Sequence, residues 1–364
     1  DDGWFGNRDD DTRSLSDWTV DPRKYPDGLH PLIEHVHGLG MTFGIWFEPE
    51  MINEDSDIHR AHPNWVLGSE DQTLGRQQKA LNMALPEVRD YLYDRMSTIL
   101  RDHQIDYIKW DHNRVLPMPD ASQTRGSYAL IDRLRAEFPH VEIESCASGG
   151  GRIDFGILQR TQRVWLSDSN DALERLRIQH DAALFLPLSV TGSHVGPRHC
   201  HTSGRNLDIS FRAWVAAQRH MGFEMDPREL DETEAAVLTE VTSWWKHNRA
   251  WMQTADILRL DSADPAVIAE QQLARKKDRF VVFAGKAATS AQIAPRPLRL
   301  TALEPNAMYQ INLTNRNTLH RLSRGTTALK EDALELSGAY LMRHGVTLPW
   351  SFPERMWVLE GTRL

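Results

Sequence analysis

Cysteine is nearly absent: the 364-residue chain has two, Cys146 and Cys200. They cannot build a disulfide framework, and neither has a second ligand at zinc-site spacing, so the chain is expected in a reducing, cytoplasmic compartment. No apolar run is long enough to span a bilayer, which excludes a membrane-crossing helix. Clusters of Lys and Arg are missing as well, and the net charge of -9 argues against a nucleic-acid partner. The opening Asp1-Asp2-Gly3-Trp4-Phe5-Gly6 has no initiator Met, signal peptide or leading helix. It reads as a fragment whose beginning, with any export signal, lies elsewhere.

What is present is ordinary in bulk and uneven in detail. Hydrophobic residues make up 40% and charged residues 26%, as in soluble globular proteins, and the length implies one barrel-sized domain plus an accessory one. The 12 tryptophans include candidates for sugar-stacking platforms, although most Trp in any protein is core.

Hydrophobic periodicity predicts a helix over 27–40, with Leu29, Leu32, Ile33 and Val36 recurring at helical spacing, then a strand over Met41–Phe47 and the loop Glu48-Pro49-Glu50-Met51-Ile52. Pro86 opens a second helix whose stripe is Val88, Tyr91, Leu92, Met96 and Ile99. A strand ending at Lys109 and Asp111 follows, then a helix over 127–138, a strand over Val141–Cys146 and the glycine loop Ser148–Arg152. A short strand is expected at Val164–Asp168, helices at Ala172–Leu186 and Glu232–Met252, and a helix or helix plus strand at Phe211–Met221. Repeated strand-helix alternation with long connections implies a parallel α/β sheet, open or closed into a barrel. Beyond about Ala255 the pattern changes to short strands, at 280–283, 298–300, 309–313 and 356–359, which reads as a small antiparallel β domain.

Ile105–Arg114, IDYIKWDHNR, is the most informative stretch. Strand alternation puts Tyr107, Lys109 and Asp111 on one face and Ile108 and Trp110 on the other. A lysine and a carboxylate facing inward are costly to bury unless paired or used; a strand-end ion pair and a functional pair both fit. Functional residues of parallel α/β folds sit at strand C-termini. Those positions here hold Asp1, Asp2 and Trp4; Trp46, Glu48 and Glu50; Lys109 and Asp111; Glu144 and Cys146; Asp168 and Asp171; and His194. Acids at the end of nearly every strand, mixed with tryptophans, point to carbohydrate chemistry, in which two carboxyl groups flank a glycosidic bond.

Five ordered segments, DDGWFGNR, GIWFEPEM, YIKWDHNR, ESCASGGGRID and WLSDSNDALERLRIQ, closely resemble glycoside hydrolase family 36, the microbial α-galactosidases. The resemblance covers essentially the whole chain. It implies a (β/α)8 TIM-type barrel, incomplete at its N-terminus with about six of the eight βα units, over 1–254, followed by a C-terminal antiparallel β-sandwich domain over 255–364. It also implies a retaining, metal-free and cofactor-free hydrolysis of α-galactoside oligosaccharides of the melibiose and raffinose type, by a homo-oligomer that is a tetramer in the family. Carried over by position, Asp111 matches the nucleophile and Asp168 the general acid/base. Asp1 and Asp2 match the pair on the galactose hydroxyls, Trp46 matches a subsite wall, and Trp4, Arg76, Lys109, Cys146 and Gly149 match further subsite positions. An α-N-acetylgalactosaminidase or a galactosyl transferase related to raffinose synthases remains open, as does a catalytically silent sugar-binding fragment.

From these roles, Lys109 is expected to keep Asp111 ionised, and burial or a nearby carboxylate is expected to raise the Asp168 pKa. Blander readings stand beside several residues. Asp171 also fits a helix N-cap. Gly149–Gly151 lacks the GK[ST] ending of a phosphate loop and suits a tight turn or close approach to a sugar. His199-Cys200-His201 is too cramped for one metal ion. Asp9–Asp11 reads as a solvated loop, and only the family match removes Glu48 and Glu50 from the catalytic candidates.

Overall fold

The computed structural model describes residues 2–118, 120–292, 296–319, 323 and 327–364. The chain divides into two compact units, Asp1–Trp165 and Leu166–Leu364.

The first unit begins with helix α1 (His30–Gly38), shorter than the predicted span. Pro31 opens it, Ile33 is its buried residue, and Gly40 ends the turn at φ +74°, a conformation glycine adopts without strain. Strand β1 (Gly44–Phe47), helix α2 (Pro86–Asp102), strand β2 (Tyr107–Trp110), helix α3 (Ala121–Glu137) and strands β3 (Glu142–Ser145) and β4 (Arg163–Val164) follow. The helix predicted from Ser127 starts earlier, because the Asp120 side chain accepts the Ser122 N–H and caps it. Gly126, buried on α3, could not carry a side chain: a Cβ there would lie 2.0 Å from the Met83 carbonyl oxygen.

The four strands pair in parallel in the order β1-β2-β3-β4. Their register sets Trp46 beside Lys109, Lys109 beside Glu144, and Glu144 beside Arg163. Side chains two residues on share that face, so Glu48, Asp111, Cys146 and Trp165 form the next layer at the strands' C-terminal ends. Backbone bonds extend the ladder to this level: Asp111 N–H to Phe47 O, Cys146 N–H to Trp110 O, and Trp165 N–H to Ser145 O, each 2.8 Å. The opposite face, through Ile45, Ile108, Trp110 and Ile143, joins one hydrophobic cluster with Leu92, Met96 and Ile131.

In the second unit, helix α4 (Ala172–Ala182) precedes parallel strands β5 (Gly192–Val195) and β6 (His220–Phe223), joined across helix α5 (Ile209–Ala216). The stretch predicted as helix or helix plus strand over Phe211–Met221 thus splits at Ala217–Arg219. Helix α6 (Glu232–Met252) has the predicted bounds; an Asp231/Glu234 capping box opens it. Strands β7 (Asp256–Leu260), β8 (Val267–Leu273), β9 (Arg279–Lys286), β10 (Met308–Leu313), β11 (Leu334–Ser337) and β12 (Arg355–Arg363) form a six-stranded antiparallel sheet in the order β11-β10-β12-β9-β8-β7. Leu298–Leu300 is not a strand: Leu298 makes only an isolated bridge to Val346, and Leu298 and Leu300 instead fill the core beneath the sheet. Among the described residues no helix is long and apolar enough to cross a membrane.

Candidate active site

Asp111 stands one residue past β2, buried, with both carboxylate oxygens engaged. Oδ1 accepts the His112 N–H at 2.8 Å; Oδ2 accepts Asn113 Nδ2–H at 2.6 Å and Trp46 Nε1–H at 3.2 Å. Burial pushes its pKa up, but hydrogen bonds from the Cys146 thiol, the Asn113 amide, the His112 N–H and the Trp46 indole outweigh it and hold the carboxyl below its ordinary value. Asp111 is therefore a desolvated carboxylate that stays ionised, the state a nucleophile requires. These donors, rather than the expected charge of Lys109, are the largest groups lowering it. Lys109 Nζ pairs with Glu144 at 3.5 Å and lies 4.6 Å from the centre of the Trp165 ring.

Two glutamates on the β1 loop have opposite fates. Glu50 accepts Arg152 Nη1–H at 2.6 Å, Ser127 Oγ–H at 2.5 Å and Trp110 Nε1–H at 3.2 Å. Burial would raise its pKa, but Arg152, His112 and Ser127 bring it down to about 2. Glu48, equally buried, is pushed up to about 8 by burial and by the charge of Asp111, against opposing hydrogen bonds from Asn113 and Gln78. Two carboxyl groups in one desolvated site cannot both ionise cheaply, and the one with fewer donors keeps its proton.

Stability should register this. Between its ordinary 4.5 and about 8, Glu48 binds more proton in the folded than in the unfolded chain, so stability falls as pH rises through that window. Asp111, whose pKa is lowered, acts below its ordinary value of 3.8, where stability is lost as pH falls. Chemical denaturation from about pH 5 to about pH 9 is expected to show a downward slope that Glu48→Gln flattens; equal slopes would count against a neutral buried Glu48.

The glycine loop curls back over the strand ends. Gly149 has φ +83°, and its N–H donates to Cys146 Sγ at 3.4 Å, while Gly151 N–H closes onto Ala147 O at 3.1 Å. Ser148 sits at φ +47°, a strained backbone for serine. Arg76 and Gln77, at φ 51° and 62°, form the two-residue turn between Gly75 and Gln78, where Asn-Gly would be usual. Non-glycine residues held in this region cluster at functional sites.

Asp1 lies outside the described residues. Asp2 is held by Arg8, whose Nη2 is 2.9 Å from Oδ2; Arg8 is itself anchored on Asn53 Oδ1 at 2.9 Å. Trp4, expected in the sugar subsite, is 5% exposed, as is Trp46. It packs on Phe5, Trp18 and Phe47, and its indole N–H donates to Trp46 O at 3.0 Å, so it braces the strand that carries Trp46. Glu144 is used between Lys109 and Arg163, 3.5 and 3.7 Å away.

In the second unit, Asp168 occupies a loop rather than the predicted strand, and it is exposed. Asp171 caps α4, accepting Leu173 and Glu174 N–H at 2.8 and 3.1 Å, and pairs with Arg205 at 2.7 Å. His194 pairs with Glu224 at 2.9 Å. His199 Nδ1 lies 3.2 Å from Asn206 Oδ1, and Cys200 Sγ 3.2 Å from Thr202 Oγ1. Sequence reasoning misses Asn113 and Gln78. Asn113 carries a signal in its place two residues after Asp111; Gln78 carries none.

Residues 1–255 match the Melibiase family model, and 268–359 the glycosyl hydrolase family 36 C-terminal domain. An α-galactosidase of Escherichia coli is 40% identical over 97% of this chain and 52% of its own length. Alpha-galactosidase AgaA of Geobacillus stearothermophilus is 34% identical over 100% of this chain and 50% of its own. Among solved structures, the galactosidase domain of an α-galactosidase–sucrose kinase superposes with a TM-score of 0.89 at 33% identity, covering 100% of this chain and 49% of that one. A doubly substituted variant of AgaA in complex with raffinose gives 0.87 at 32%, covering 100% and 50%. The chain thus spans about half the length of the relatives it matches. Its parallel strands and antiparallel sheet are those of a TIM-type barrel followed by a C-terminal β-sandwich. With both of its regions matched to the same family, the chain belongs to glycoside hydrolase family 36.

Proposed function

We propose that the protein is a retaining α-galactosidase that removes terminal α-linked galactose from oligosaccharides of the melibiose and raffinose type. The observation that carries this reading is Asp111, buried yet held ionised by surrounding donors. Relatives named α-galactosidases, and related structures in complex with raffinose and stachyose, support the substrate class.

In the first step an Asp111 oxygen attacks the anomeric carbon, the glycosidic C–O bond breaks, and Asp168 gives its proton to the departing oxygen. In the second, water attacks the same carbon, Asp168 takes its proton, and the ester to Asp111 breaks. Asp1 and Asp2 bind galactose hydroxyls in this scheme, Trp46 forms a wall, and Arg76, Lys109, Cys146 and Gly149 complete the subsite. We assign the barrel to 1–254 and the β-sandwich to 255–364, and read the active form as a homo-oligomer. Cys146 and Cys200 are both buried and neither is in a disulfide, which suits a cytoplasmic protein.

The test is hydrolysis of 4-nitrophenyl α-D-galactoside by this chain, with the anomer of the released sugar followed by proton NMR. Release of α-galactose first, with little turnover of the 2-acetamido analogue, is expected. A folded chain that releases nothing, or that releases β-galactose first, would overturn the reading.

A further inference from the structure

Glu48 has no role in the two-step reaction, yet it is tied to Asp111 through a single intermediary. Its Oε1 accepts the Asn113 N–H at 2.6 Å and its Oε2 accepts Gln78 Nε2–H at 3.0 Å. Asn113 then donates through Nδ2 to Asp111 Oδ2 at 2.6 Å. The other end of that amide, Oδ1, accepts Ser148 Oγ–H at 3.2 Å, from a serine held at φ +47°. Ser148 fixes which end of the Asn113 amide faces Asp111, and Glu48 fixes the backbone that carries it. Glu48, Gln78, Asn113 and Asp111 are 1%, 1%, 6% and 7% exposed, so water does not substitute for any of these bonds cheaply.

Resting on the assignment of Asp111 as nucleophile, we infer that Glu48 and Ser148 are positioning residues that act through Asn113, aiming its amide at Asp111 and so setting the nucleophile's orientation and charge. Gln78 extends the chain to the strained Arg76–Gln77 turn, which ties the geometry of the proposed sugar-binding Arg76 to that of the nucleophile. The unusual protonation of Glu48 agrees with this wiring. Gln78 Oε1 is buried with no partner among the described residues, and a 180° turn of that amide would let a proton on Glu48 satisfy it.

The test compares Asn113→Ala, Glu48→Ala and Glu48→Gln in the full chain, each first shown to fold by its thermal transition. Asn113→Ala and Glu48→Ala are expected to lower kcat by about 10- to 100-fold with KM within about threefold of the parent, because orientation in the transition state is lost and not sugar binding. Glu48→Gln should return to within about threefold of the parent, since glutamine still accepts from Asn113 N–H and can donate to Gln78 Oε1. Unchanged kcat in the alanine variants, a rise in KM without loss of kcat, or a Glu48→Gln variant no better than Glu48→Ala would overturn the inference. Turnover that is absent in the parent, or that survives Asp111→Ala, overturns the proposed function instead. In that event the relay is read from a carbon-13 titration of the Asp111 carboxyl, identified with Asp111→Asn. Titratable groups around Asp111 include Glu48, Cys146 and His112. Removing the Asn113 amide must raise the Asp111 midpoint, and an unmoved midpoint overturns the relay.

Discussion

Asp111→Ala is expected to cut hydrolysis of 4-nitrophenyl α-D-galactoside by at least about 10⁴-fold, because it removes the proposed nucleophile. Azide separates the two acids by stereochemistry. In Asp111→Ala it can only attack the substrate from the face the carboxylate vacated, giving β-galactosyl azide. In Asp168→Ala the glycosyl-enzyme still forms from an activated leaving group, and azide then attacks from the opposite face, giving α-galactosyl azide and restoring part of the rate. Both outcomes follow from the roles proposed for the two acids. If azide yields the same anomer from both variants, or rescues neither, the assignment of roles is wrong. Asp111→Asn serves as the folding control, since it keeps the shape of a side chain at 7% exposure around which donors would otherwise be left unpaired.

The second large effect concerns stability. Arg219 and Glu270 form a bidentate pair, Nη1 to Oε1 at 2.6 Å and Nη2 to Oε2 at 2.8 Å, with both side chains at 2% exposure. Arg219 also donates to the Gln179 and Gln218 carbonyls, and its own carbonyl accepts the Trp245 indole N–H. It thereby links α4, α6 and β8 within the second unit. Arg219→Met leaves Glu270 buried without its cation and should cost about 3–5 kcal/mol. For a unit of this size that corresponds to a fall in Tm of roughly 6–20 °C. Replacing both partners, Arg219→Met with Glu270→Leu, should recover most of the loss, because the penalty comes from the orphaned charge rather than from absence of the pair. A single variant that melts within about a degree or two of the parent would show that the second unit does not depend on this pair.

Much of the architecture is legible in the residues. Apolar spacing locates α2 and α6, the latter with its observed bounds, since a long amphipathic helix repeats its signal over many turns. Strand alternation by itself places Lys109 and Asp111 on one face. Short or interrupted elements are less visible. Leu298–Leu300 has the composition of a strand but no ladder partner beyond one bridge, and pairing depends on residues far away in sequence. Asp168 has the pattern of a strand end and lies in an exposed loop, because β4 stops at Val164.

The candidate site divides along the same line. Local sequence determined which acids stand at the strand ends, that Asp171 can cap a helix, and that a glycine loop follows Cys146, because each is a matter of neighbours within a few residues. Only the tertiary structure decided what those groups do. Register across β1, β2 and β3 brings Trp46, Glu48, Asp111 and Cys146, up to a hundred residues apart, to two adjacent levels of one face. Trp4, matched by position to the sugar subsite, braces the core because Phe5, Trp18 and Phe47 pack around it. Glu48 and Glu50, two residues apart in the same motif, carry opposite charge states because Arg152 reaches one and Asp111 faces the other. Protonation in a buried site follows from long-range partners and desolvation, and neither is written in the spacing of a motif.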